Sequence, residues 1–170
     1  MKIAVLNGSP RPKGNTAGLV AAFREGAESA GHEVSVLSIG TMNIHGCRAC
    51  DFCHGKGGGK CIQEDDMQQV YPVLTEAEMI VFASPVHYFG LSGQLQSALA
   101  RFYAPFRPAA KKYAMLISSG SPNVTAGIEN QYRLLLGLLG GEDMGFFTWN
   151  GPINRTEETF AQLRAFGASL

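Results

Sequence analysis

Five short apolar runs alternate along this chain with segments whose apolar residues recur every three or four positions, and that alternation limits the possible folds more than any other feature. The runs are KIAVL (2–6), EVSVLSI (33–39), MIVFA (79–83), YAMLI (113–117) and MGFFTW (144–149), all of strand length. Between or after them, five sets of residues each mark one face of a helix. These are Leu19, Phe23 and Ala27; Met67, Val70, Tyr71 and Leu74; Leu91, Leu95 and Leu99; Ile128, Tyr132, Leu135 and Leu139; and Phe160, Leu163 and Phe166. Repeated strand-then-helix units predict a parallel sheet with helices on both faces, because each crossover must return right-handed onto the sheet. The expected class is α/β, a three-layer α/β/α sandwich on a five-stranded parallel sheet of order 2-1-3-4-5. A length of 170 residues with 45% hydrophobic content suits one domain, residues 1–170, with no linker.

In a sheet of that order ligands bind at the carboxyl ends of the strands, beside strands 1 and 3 where the strand order switches. The loops of interest therefore follow Leu6, Ala83 and Ile117. The first reads NGSPRPKGNTAG (7–18) and leads into a helix. Gly8 and Gly14 allow close backbone approach, Ser9 and Thr16 offer hydroxyls, Asn15 can cap the helix, and Arg11 supplies a bidentate charge. With the free amides of a helix start, these groups suit one phosphate monoester. The alternative is an ordinary Gly/Pro-rich turn with capping residues. Neither GxGxxG nor GxxxxGK[ST] occurs there, which removes the usual grounds for a dinucleotide cradle or a nucleoside triphosphatase. The second loop, SPVHYFGLSG (84–93), places His87, Tyr88 and Phe89 at the mouth of the site, as flat surfaces for a planar ligand or as cover for the core. His87 is also a possible proton donor. The third, SSGSPNVTAG (118–127), adds small residues and exposed amides. Three such loops at one sheet edge would receive a phosphorylated, planar ligand, a description that FMN meets.

All four cysteines lie within residues 46–61, as Cys47, Cys50, Cys53 and Cys61 in GCRACDFCHGKGGGKC. The amino-terminal apolar run spans only residues 3–6, where a signal peptide needs roughly 7 to 15 residues, and no segment nears the ~20 of a membrane span. The expected location is the cytoplasm, where thiols stay reduced and a cysteine cluster means metal or redox chemistry rather than disulfides. Formal net charge is zero, from fourteen basic and fourteen acidic residues, so there is no field to hold a nucleic acid or an anionic membrane. The spacing CxxCxxC with a further cysteine can wrap a [4Fe-4S] cubane, the glycines at 57–59 letting the chain turn back. Zinc and unmetallated thiols are the alternatives. EDDM (64–67) reads as an acidic helix start of structural role.

Together GSPRPKGNT, CRACDFC, CIQEDDM, FASPVHYFGLSGQL and LISSGSP resemble the NAD(P)H-dependent FMN reductase branch of the flavodoxin-like superfamily, and within it the iron-sulfur flavoproteins. The resemblance runs from residue 1 to about the fourth helix. It implies a flavodoxin-like fold, FMN as cofactor and NAD(P)H as co-substrate. Ser9, Arg11, Asn15 and Thr16 match the phosphate loop of that family, Pro85, Val86, His87 and Tyr88 its isoalloxazine loop, and Ser118, Ser119 and Gly120 its third flavin-contacting loop. Cys47, Cys50, Cys53 and Cys61 match its cluster motif, in a cysteine-rich insert over about 40–63. His87 stands where the family usually has Tyr, Gln96 where it has Lys, and Ala100 and Arg101 where it has an Asp-Arg pair. The implied activity is oxidation of NAD(P)H through FMN, with electrons passed to a quinone-like small molecule or a ferredoxin-like partner, directly or through a [4Fe-4S] cluster. The chemistry is centred on the flavin, and a homodimer or homotetramer is expected. A non-enzymatic flavodoxin-like electron carrier is the alternative.

Overall fold

The computed structural model describes residues 1–104 and 108–170. Five parallel strands form the sheet: β1 (Lys2–Asn7), β2 (Glu33–Leu37), β3 (Met79–His87), β5 (Lys112–Ser119) and β6 (Glu142–Asn150), in the order β2-β1-β3-β5-β6. A two-residue strand, β4 (Gly90–Leu91), pairs antiparallel with the end of β3. Setting β4 aside, this is the order expected from the sequence. The helices are α1 (Asn15–Ser29), α2 (Met67–Glu76), α3 (Gly93–Ala100), α4 (Ala126–Leu139) and α5 (Glu157–Ala168).

The strand runs are apolar at nearly every position because both faces of the sheet are covered. Ile3 and Val5 of β1, Val81 of β3 and Leu116 of β5 pack with Leu19, Phe23 and Leu163 of α1 and α5. Their alternates Leu6, Phe82 and Met115 pack with Val70, Leu74, Leu95 and Tyr132 of α2, α3 and α4. Helices α1 and α5 meet backbone to backbone. A Cβ added at Gly26 would lie 2.0 Å from the Arg164 carbonyl oxygen, and one at Gly167 would lie 2.4 Å from that of Phe23.

Two boundaries differ from the sequence reading. Leu91, grouped with the third helix by its spacing, lies on β4, and α3 begins at Gly93. Residues 84–87, read as loop, continue β3. Pro85 permits this because pairing with β1 ends at Asn7 and Ala83, so one side of β3 is free when the proline, which has no N–H, is reached. On the other side Pro85 still registers with Ser118. The segment between β2 and α2 contains only two 3₁₀ turns, Ile39–Thr41 and Phe52–His54, and carries all four cysteines.

Candidate functional site

The carboxyl ends of β1, β3 and β5 bring the three singled-out loops to one edge. In the first, Asn7 Oδ1 accepts from the Ser9 amide at 3.0 Å, and Ser9 Oγ accepts from the Arg11 amide at 3.2 Å. Gly8 can bear no side chain, since a Cβ there would meet Leu95 Cβ at 2.6 Å and Ser92 Oγ at 2.7 Å. The loop ends on Gly14 as the N-cap of α1, which offers no side chain, and the first turn holds no acid. The positive end of the helix is thus left uncompensated and its first amides uncapped, the condition under which a helix start takes an anion.

Asn15 does not cap α1, contrary to expectation, because it is already the first helical residue. Its Oδ1 instead accepts from Arg155 Nε at 2.6 Å, and Arg155 Nη2 also donates to the Lys13 carbonyl at 3.2 Å. Arg155 follows β6, 140 residues away in sequence, and no local motif pointed to it. Arg155 and Lys13 therefore add positive charge to that of Arg11 beside this helix start. Arg155, Lys13, Asn15 and Phe160 line a cavity of about 450 Å³ beside the loop, while Arg11 is exposed. Thr16 is buried, and its Oγ1 lies 2.8 Å from Ser118 Oγ, a hydrogen bond that ties the first loop to the third.

The second loop is a hairpin whose turn is Tyr88-Phe89, between the paired His87 and Gly90. Both turn residues have positive φ, 52° and 66°, the backbone that a two-residue hairpin demands and that Asn-Gly normally supplies. Two aromatics held there, 99% and 66% exposed, mark strain kept at the rim of a site. Their rings meet edge to face at 6.3 Å. Val86, Tyr88, Phe89, Ser119, Gly120, Ser121 and Val124 line a groove of about 200 Å³. Pro85 and Ser118 are buried, and His87 is exposed on the hairpin outside the groove-lining set. Asn154, also missed in the sequence, donates from Nδ2 to the carbonyls of Ser119 and Gly151 at 2.8 Å each and so holds the third loop.

The cysteine loop makes a second candidate site. Cys47, Cys50, Cys53 and Cys61 line one cleft together with Arg48, Arg101 and Tyr103. Between the first three cysteines, Ala49 and Asp51 take the left-handed conformation, with φ of 50° and 52°. Left-handed residues within such a loop turn backbone N–H groups inward, as in anion-binding nests and many iron-sulfur sites. The Ala49 amide does so, donating to Cys47 Sγ at 3.4 Å. Tyr103 clamps the loop from outside: its hydroxyl donates to Asp51 Oδ1 at 2.8 Å, its carbonyl lies 2.9 Å from His54 Nε2, and the two rings pack at 4.6 Å.

Beneath the cleft Arg101 is 1% exposed and paired with Asp65, whose side chain is 3% exposed, at 2.5 Å. Burial alone would push the Asp65 carboxyl up. Hydrogen bonds from Arg101 and from the amides of His45 and Met67 outweigh it and hold the group below the usual carboxylate range. Of EDDM, Met67 opens α2, while Asp65 and Asp66 just before it hold the chain that leads into the cysteines, Asp65 Oδ2 accepting from the His45 amide at 3.0 Å and Asp66 Oδ2 from the Asn43 amide at 2.7 Å. Arg101 Nη1 also donates to the His45 carbonyl at 3.0 Å, but its Nε and Nη2, both buried, have no hydrogen-bond partner. An unmet buried donor costs about 1–3 kcal/mol, and more on a charged group.

The residues fit the groups that the sequence implied. The open helix start suits a phosphate monoester and the aromatic-rimmed groove a flat ring. Four thiols with an unsatisfied guanidinium in the wall suit an anionic thiolate cluster. Among the described residues no three His, Cys, Asp or Glu side chains are grouped tightly enough to hold a single metal ion. The cleft encloses about 10 Å³, with Cys47 and Cys50 exposed at its rim and Cys53 buried.

The comparisons with known proteins agree with this geometry. The chain is 32% identical over 161 residues to an iron-sulfur flavoprotein of Archaeoglobus fulgidus, covering 90% of this chain and 72% of the relative. It is 35% identical over 101 residues to an iron-sulfur flavoprotein of Methanocaldococcus jannaschii, covering 59% of this chain and 51% of that protein, so the chain spans only about half of some relatives. In fold it matches an NAD(P)H:quinone oxidoreductase of Methanothermobacter marburgensis, with a TM-score of 0.78 and 18% identity over 99% of this chain and 95% of that one. Residues 1–151 match the NADPH-dependent FMN reductase family, and the chain belongs to that family of oxidoreductases.

Proposed function

We propose that this protein is an FMN-dependent oxidoreductase that takes electrons from NAD(P)H and passes them to a small acceptor of the quinone type or to a ferredoxin-like partner. The observation that carries the reading is that an uncapped, acid-free helix start and an aromatic-rimmed groove share one sheet edge, at the switch in strand order. Arg11 and the amides of Asn15 and Thr16 hold the phosphate, with Ser9 shaping the loop and Arg155 orienting Asn15. Val86, Tyr88, Ser119 and Gly120 receive the ring, over a floor of Pro85 and Ser118, while His87 stands at the mouth. When bound, FMN supplies two-electron uptake from a nicotinamide and release of electrons one at a time.

Cys47, Cys50, Cys53 and Cys61 are proposed to hold a [4Fe-4S] cluster as the exit route for those electrons. Four free thiols in one cleft, left-handed residues between them and the name carried by the relatives support this. Free thiols also favour a reducing compartment, the cytoplasm, and among the described residues no helix is long and apolar enough to cross a membrane. A homodimer or homotetramer would cover the exposed Tyr88, Phe89, Leu134 and Leu138.

The test is steady oxidation of NADH or NADPH by anaerobically purified, FMN-loaded protein with an artificial quinone. Sustained turnover is expected. A holoprotein that either nicotinamide leaves oxidised, but that passes electrons after chemical reduction, is a carrier instead. The same preparation should contain about four irons and four acid-labile sulfides per chain. Cys61→Ala should lose them while keeping FMN, and stoichiometric zinc without sulfide overturns the cluster assignment.

A further inference from the structure

We infer that Arg101 sets the charge balance of the cysteine site, its unpartnered nitrogens Nε and Nη2 donating to the thiolate cluster and holding the cluster's potential up. This rests on the proposal that the four cysteines carry such a cluster. Arg101 is one of the largest fully buried side chains among the described residues; Nη1 donates to Asp65 Oδ2 and the His45 carbonyl, and the Tyr71 hydroxyl interacts with the same side chain. Nε and Nη2 are buried without partners, in a residue that lines the same cleft as Cys47, Cys50, Cys53 and Cys61. A buried cation meets one carboxylate here and keeps two donor nitrogens in reserve. What would complete its hydrogen bonding is an anion in the cleft, and thiolates bound to a cluster are that anion.

The other basic group of the cleft, Arg48, is exposed and therefore screened by water and salt, whereas Arg101 is not. Arg101 is also held in place independently of any occupant. Asp65 fixes one end of the guanidinium, and the Arg101 carbonyl accepts from the Tyr71 hydroxyl at 3.0 Å. A fixed positive charge and hydrogen bonds to sulfur both favour the reduced, more negative cluster, and so raise its potential.

The experiment is a redox titration of the cluster, followed by electron paramagnetic resonance, on anaerobic holoprotein with iron and sulfide counted beforehand. Arg101→Gln should lower the reduced-to-oxidised ratio at fixed potential by at least tenfold, which is about 59 mV for one electron. The double variant Arg101→Gln/Asp65→Asn, which leaves no unpaired buried charge, should shift the same way and protects against misfolding of the single variant. Arg101→Lys, which perturbs the packing but keeps the charge, should stay within a few-fold of the parent. An unchanged potential in the glutamine variants, or an equal fall in the lysine variant, overturns the role of Arg101 while leaving the cluster assignment intact. A parent protein without iron and sulfide overturns that assignment itself, and this inference with it.

Discussion

Arg11 and Arg155 reach the same helix start from opposite ends of the chain, and their surroundings give them different tasks. Arg155 is already engaged by Asn15 Oδ1 and the Lys13 carbonyl, whereas Arg11 is exposed beside the uncapped amides. Arg11→Ala should therefore weaken FMN binding by about 1.5–3 kcal/mol, the range for a hydrogen bond to a charged group, and hardly affect riboflavin, which lacks the phosphate. Titration calorimetry with both ligands checks this, and equal losses would show that Arg11 does not read the phosphate. Asp65 makes a prediction about acid. Its carboxyl is held low in the folded protein, so the pair with Arg101 stabilises fully above the unfolded carboxylate value of about 3.9, and the contribution is lost as pH falls through the lower folded value. Asp65→Asn should cost about 3–5 kcal/mol at neutral pH, because it strands a buried guanidinium. The gap from the parent should narrow in acid, and urea unfolding at pH 7 and pH 3 measures both.

At the scale of elements, the hairpin β3–β4 sets structure against stability. Tyr88 and Phe89 occupy a turn whose positive φ values suit Asn-Gly, and each strained residue costs on the order of 1–3 kcal/mol. Replacing the pair by Asn-Gly should stabilise the protein by about 1–2 kcal/mol, read from the urea midpoint, and weaken flavin binding because the groove loses its aromatic rim. A variant that is less stable would show that the rings contribute packing the turn depends on. The hairpin was also the element least visible in the sequence. Ser84, Pro85 and the glycines at 90 and 93 carry the composition of a loop, and only the end of pairing with β1 at Ala83 explains why a strand continues through proline. The helices, by contrast, were legible at nearly every marked residue, since a 3.6-residue period records which face is buried wherever the helix docks.

At the scale of the molecule, FMN should act as a stabilising ligand if its phosphate and ring are held by two separate loops. At one hundred times its dissociation constant it adds about 2.7 kcal/mol, which for a chain of this length raises the melting temperature by about 5–10 °C. Differential scanning calorimetry with FMN and with riboflavin would show it, and no shift with FMN in large excess would show that the folded protein does not hold the flavin. The sequence by itself determined the layered α/β fold, the order of the five long strands, the sheet edge to which the three singled-out loops come and the cysteines that share a loop. Each of these is encoded locally, in periodicity, in turn residues or in spacing along a few positions. Only the tertiary structure decided that Arg155 meets Asn15 across 140 residues, that Thr16 meets Ser118 across 102, and that Arg101 lies buried beneath the cysteines with Asp65, 36 residues away. Such pairs leave no period in the sequence, because they are made by the register of strands and the docking of helices, and a polar side chain acquires its partner only when packing removes it from water.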